Sequence, residues 1–133
     1  MTRLESQSVE IAHSAETVFS FLSDFNNFQK LMPEQVTNWK STPTECEFTI
    51  NGMATIGMRI EEAQSPNLIR IVENGKVPFA FKLEVLLQPI NAEKCNAKLV
   101  FVAELNAMMK MMLEKPLGNF VQLLATKLQT IPL

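Results

Sequence analysis

The chain has 133 residues, within the usual range for one domain, and its 47% hydrophobic and 20% charged content suits a globular core and excludes disorder. A formal net charge of -2 gives no net attraction to phosphate backbones or anionic headgroups, which disfavours nucleic acid as a partner. The opening MTRLESQSVEI is charged and alternating, and no stretch reaches the roughly eighteen apolar residues of a membrane span, so the expectation is a cytoplasmic protein without stable membrane insertion.

Residues Arg3 to Ile11 alternate and predict a strand. Ser14 then stands where an N-cap belongs, Glu16 suits the positive end of a helix dipole, and Val18, Phe19, Phe21 and Leu22 recur at helical spacing. Asp24 offers a second cap to a short helix carrying Phe25, Phe28 and Leu31, which Pro33 ends. Two short helices joined through SDFNN predict an elbow that closes one end of a sheet.

From Val36 to about Leu105 the apolar period becomes two, and turn signals at STPTE, ING, AQSPN, ENGKVP and PINAEKCN divide this stretch into six strands. In FAFKLEVLLQP the residues Phe79, Phe81, Leu83, Val85 and Leu87 share one face, while Lys82, Glu84 and Gln88 share the other. The same alternation groups Cys46, Phe48 and Ile50, then Ile56, Met58 and Ile60, then Ile69 and Ile71, then Leu99, Phe101, Ala103 and Leu105. Asn51 and Gly52 mark a turn with positive φ. Short connections make neighbouring strands antiparallel, and a sheet with one wet face must cover the other.

The segment from about Ala107 to Leu128 is long enough to do so. Asn106 is its cap, and Met109, Leu113, Leu117, Phe120, Leu124 and Leu128 form an apolar stripe worth on the order of 10 kcal/mol gross if buried. Pro116 removes a donor to the Met112 carbonyl, which predicts a kink or a weakened turn, and Gly118 adds softness.

The order strand, two short helices, six strands, long helix resembles the helix-grip fold of the START-like, or SRPBCC, superfamily, which includes polyketide cyclase-like and lipid-transfer-like proteins and birch-pollen-allergen relatives. The resemblance spans the whole chain as one domain, residues 1–133. It rests on VEIAHSAETVFSFLSDFNNFQKLMP, on the meander, and on LNAMMKMMLEKPLGNFVQLLATKL. Ser14, Glu16, Val18, Phe19, Asp24, Phe25, Phe28 and Pro33 match the family's opening pattern. The resemblance implies an α+β architecture in which a curved antiparallel sheet of about seven strands wraps on the last helix. It also implies a cavity between them for sterols, lipids, polyketides or other apolar molecules. Fold membership leaves the ligand and any activity open.

The leading expectation is a carrier or sensor without catalytic residues, metal or cofactor, which binds an apolar molecule in that cavity. Its sheet wall is Phe48, Ile56, Met58 and, further along, Phe79, Phe81, Leu83 and Phe101; its helix wall is Met109, Met112, Leu113 and Phe120. Met109 and Met112 read in the first place as packed core and otherwise as an adaptable pocket mouth, whereas Met108 and Met111 fall toward the polar side and suit a pocket rim or a subunit contact, as in a homodimer. Met53 and Met58 add to the methionine supply near one end of the fold. Trp39 either lines the cavity or caps the sheet edge.

Groups for chemistry are few. His13 is the only histidine and sits at a strand–helix junction, read as a surface position; there is no tyrosine. Glu45, Glu47, Glu61, Glu84 and Glu104 alternate outward with Arg59 and Arg70, and Lys127, beside the helix stripe, is placed to snorkel or, as the lesser reading, to meet a ligand carboxylate. Cys46 and Cys95 lack metal-site spacing and read as reduced thiols on strands. Two alternatives remain: a cyclase or aromatase-like enzyme, which needs an inward polar cluster, and a protein-interaction module whose pocket has collapsed. The carrier reading requires a void between sheet and helix; side chains filling that space with no room for a ligand would overturn it and leave the interaction module.

Overall fold

The computed structural model describes residues 1–50, 54–75 and 77–132, so the Asn51–Gly52 turn and Met53 lie outside the described residues. The chain opens with β1 (Thr2–Glu5) and β2 (Val9–Ile11), followed by α1 (Ala15–Leu22), α2 (Phe25–Phe28) and a 3₁₀ turn at Gln29–Leu31. The meander comprises β3 (Val36–Ser41), β4 (Glu45–Ile50), β5 (Ala54–Gln64), β6 (Leu68–Glu73), β7 (Phe81–Asn91) and β8 (Lys94–Ala103), and α3 (Ala107–Thr130) closes the chain. All described strands form one antiparallel sheet in the order β1-β8-β7-β6-β5-β4-β3, with β2 also paired to β8.

The helix starts follow from local chemistry. The Ser14 side chain accepts the Thr17 N–H at 3.1 Å, Asp24 accepts from Asn26 at 2.9 Å, and Asn106 accepts from Met109 at 2.8 Å, each filling an otherwise unsatisfied first-turn donor. The elbow is tied to the sheet margin, where the Phe25 N–H donates to the Pro43 carbonyl and Ser41 Oγ donates to Asn26. Its apolar residues Val18, Leu22, Phe25, Phe28 and Leu31 are buried in the common core.

Among the described residues the pairing departs from simple alternation at four places, one of them between Pro89 and Asn91 near the β7–β8 turn. The expected single strand over Arg3–Ile11 is two strands, because one extra residue lies between the Glu5–Val100 and Val9–Ala97 pairs. The inward parity changes there from Thr2 and Ser6 to Val9 and Ile11. In β5 the register shifts between Ile60 and Glu62. Strict alternation would carry Glu62 inward with Ile56 and Met58, but the shift returns it to the outer face. There Arg70 bonds both Glu62 and, at 3.1 Å, Glu84. No carboxylate is thereby driven into the apolar face, where its desolvation would be costly. In β3, Asn38 and Trp39 together oppose Phe48, and Asn38 takes a left-handed φ of 56°.

The final helix keeps its predicted start and continues through Pro116. Pro116 and Met112 are both exposed, so water can satisfy the carbonyl left without an intrahelical donor. Its burial differs from the sequence expectation. The buried positions are Leu117, Val121, Leu124, Ala125 and Leu128, whereas residues 107–116 include none. Helical periodicity fixes the direction of the apolar stripe but not how far the sheet extends beneath it. The first ten residues of α3 overhang, with Met109 and Leu113 half-buried.

Candidate functional site

Between the sheet and α3 lies a wholly apolar slot. Its walls come from the elbow (Phe28, Met32), from β4 and β5 (Phe48, Ile50, Ile56, Met58), from β7, β8 and the segment before β7 (Phe79, Phe81, Leu83, Phe101), and from α3 (Leu117, Phe120, Val121, Leu124). Phe81 stacks on Phe101 with ring centroids 5.3 Å apart, and Phe79 meets Phe81 edge-on at 6.0 Å. Met32 and Phe120 are half-buried while the other lining residues are buried, so the slot approaches the surface between the elbow and α3.

The slot is almost filled. Its volume is about 30 Å³, enough for a water molecule or so and far below the roughly 300 Å³ at which small-molecule pockets begin. The ligand-sized void required by the carrier reading is therefore closed in this conformation. The reason is packing: phenylalanines from β4, β7 and β8 meet α3 side chains across the inner face, and a tightly packed interior leaves few voids.

Of the sequence-selected wall residues, Phe48, Ile56, Met58, Phe79, Phe81, Leu83, Phe101 and Phe120 are brought together at this slot. Met109, Met112 and Leu113 are not. Met112 is 66% exposed, which corrects its reading as wall or core, and Met109 and Leu113 sit half-buried under the overhanging half of α3. Phe79 precedes β7 instead of beginning it, because the Glu73 carboxylate accepts the Phe81 N–H at 3.0 Å and pins the turn; Phe79 is nevertheless buried.

Sequence reasoning missed Phe28, Met32, Ile50, Leu117, Val121 and Leu124 as lining residues. Phe28, Ile50, Leu117 and Leu124 were legible as apolar-face residues. Their arrival at one slot depends on how the elbow and α3 meet the sheet. The exposed positions expected of Met108 and Met111 are found, and Met111 is 85% exposed.

No titratable group is among the residues lining the slot. Burial pushes the Cys46 thiol up to about 12, and burial followed by the charge of Glu16 raises that of Cys95; both cysteines are free. Such thiols are poor nucleophiles near neutral pH. On the outer face, hydrogen bonding to Glu84 raises the Arg70 pKa. Among the described residues no group of three or more His, Cys, Asp or Glu could hold a metal ion, and no helix is long and apolar enough to cross a membrane. His13 is half-buried at the β2–α1 junction. Trp39 both packs inward and sits on the edge strand: its indole stacks on Phe48 with centroids 5.2 Å apart and planes 19° from parallel.

The architecture is shared with solved structures. A START superfamily protein from Mycobacterium smegmatis matches with a TM-score of 0.75 at 17% identity, covering 96% of this chain and 94% of that one. A conserved protein from Geobacillus kaustophilus matches at 0.70 with 19% identity, over 96% and 93%. A norcoclaurine synthase point mutant from Thalictrum flavum, in complex with a transition state analogue, matches at 0.69 with 11% identity, over 96% and 93%. At such identities the likeness shows the fold alone. No curated protein matches the chain in sequence. The family described as polyketide cyclase / dehydrase and lipid transport matches residues 3–130, nearly the whole chain, and together with the helix-grip architecture this makes the chain a member of that START-like family.

Proposed function

We propose that the chain binds a small apolar molecule between its sheet and α3, as a carrier or sensor, and that the slot opens to admit it. The observation that carries this reading is the lining: apolar side chains from the elbow, sheet and helix converge on one place with no polar atom among them. Such a surface rewards burial of hydrocarbon and offers nothing to position or protonate a reacting group, which favours binding over a cyclase-like reaction. The nearly filled slot counts against a preformed cavity, so this reading stands only with an induced opening. The half-buried Met32 and Phe120 are the side chains to move, since unbranched methionine adapts readily and the preceding half of α3 is weakly anchored.

Titration with the neutral fluorescent probe 1-aminoanthracene, beside native mass spectrometry of freshly purified protein, tests this. A single saturable site is expected, and Phe120→Trp, by narrowing the mouth, should weaken it about tenfold with little change in unfolding midpoint. Protein that neither takes up the probe nor carries a co-purified apolar molecule would remove the basis for the reading.

A second reading, a contact module with a closed pocket, is favoured by the nearly filled slot and by Met108, Met111 and Met112 exposed together on α3. In that form the contact is with a second copy of the chain. Sedimentation over a concentration series should then show a dimer that Met111→Lys dissociates, and a monomer throughout would eliminate it.

A further inference from the structure

The β3 bulge decides where the only tryptophan goes. Val36 pairs with Ile50 on the inner face and Thr37 with Thr49 on the outer, so unbroken alternation would put Trp39 outside with Thr37. Instead Asn38 and Trp39 both oppose Phe48, Asn38 absorbs the extra residue in a left-handed conformation, and the indole turns inward onto the Phe48 ring. Asparagine tolerates that backbone region better than most residues with a side chain. The consequence is a polar atom in an apolar place. Trp39 Nε1 is buried and, among the described residues, has no hydrogen-bond partner.

A buried indole N–H without an acceptor costs free energy, and buried tryptophans usually find one. The N–H belongs to a side chain stacked on Phe48; Phe48 is part of the slot wall while Trp39 itself is not, and the lining residues offer no polar side-chain donor of their own. We infer that Trp39 Nε1 supplies the single polar contact to the ligand. On the reading that the slot opens for an apolar molecule, the ligand class is then narrowed to a hydrocarbon body bearing one neutral acceptor, such as a ketone, aldehyde or ester carbonyl. The acceptor lies at the β3–β4 end, reached by displacement of the Phe48 ring, and the hydrocarbon runs toward Phe81 and Phe101. A carboxylate is disfavoured, because no cationic side chain lines the slot to offset its desolvation.

With one tryptophan in the chain, a ¹⁵N-labelled sample gives one indole N–H resonance, assigned without mutagenesis. Titrating the intact protein with n-octane and with 2-octanone compares equal chain lengths with and without the acceptor. The expected result is binding of both, with 2-octanone about tenfold tighter and alone moving the indole proton downfield. Trp39→Phe should abolish the preference while retaining octane binding; the wild-type spectra decide the matter even if that variant folds poorly. Equal affinities, or 2-octanone bound without an indole shift, would overturn the assignment of Trp39 and leave the apolar pocket standing. Failure of both probes to bind would overturn the pocket reading and this inference with it.

Discussion

Ser6 and Leu99 exchange two hydrogen bonds across the break between β1 and β2: the Ser6 N–H donates to the Leu99 carbonyl at 2.9 Å, and the Leu99 N–H donates to Ser6 Oγ at 2.9 Å. A side-chain oxygen thus occupies the place of a backbone carbonyl at the bulge. The neighbouring Gln7 N–H donates to Gln122 of α3 at 2.9 Å, so the same break ties the sheet to the closing helix.

Ser6 is 4% exposed, so Ser6→Ala should leave the Leu99 N–H buried and unpaired. The expected cost is about 1–3 kcal/mol, seen as a lower urea midpoint with an unchanged slope. A midpoint equal to wild type would mean that the ladder closes without the hydroxyl.

Two glycines should respond oppositely to alanine. A Cβ on Gly57 would run into the Asn74 carbonyl oxygen, in the pair where the Asn74 N–H also donates to Gly57 at 2.9 Å, so Gly57→Ala should destabilise by about 1–3 kcal/mol. Gly118 lies within α3 with open space around it, and Gly118→Ala should stabilise by about 0.5–1 kcal/mol through reduced unfolded-state entropy and better helix propensity. Thermal unfolding of both variants checks the pair.

The depth of α3 anchoring can be read from Leu124 and Met112. Leu124→Ala removes a side chain that is 1% exposed and should cost about 2–5 kcal/mol. Met112→Ala, on the overhanging half, should stay within about 0.5 kcal/mol of wild type. Comparable losses at the two sites in chemical denaturation would mean that the first half of the helix is packed.

Two groups give stability opposite pH trends. Hydrogen bonding to Lys98, followed by that to Arg3, lowers the Glu5 carboxyl from 4.5 to about 2. Its contribution is present above pH 4.5 and is lost as the pH falls toward 2. Glu5→Gln should therefore lose less stability than wild type over that interval in urea titrations. Cys46, raised by burial from 9.0 to about 12, contributes below pH 9 and loses that contribution as the pH rises toward 12. Thiol labelling at pH 8 should be slow in the native protein and prompt after unfolding.

The sequence by itself determined the element order from α1 onward, the Ser14, Asp24 and Asn106 caps, the inward faces of β4, β7 and β8, and the helix that closes the sheet. These follow from interactions within a few residues and from the periods of strand and helix. Even the β1–β2 break left a trace, since the inward residues change parity between Leu4 and Val9. Tertiary structure alone decided that Trp39 turns inward, that Glu62 returns to Arg70, that Met112 stands in solvent, and that the slot between sheet and helix is nearly full. Those outcomes depend on strand register, on how far the curved sheet extends under α3, and on the summed volume of side chains from distant segments. An alternating pattern specifies a face; it does not specify what meets it.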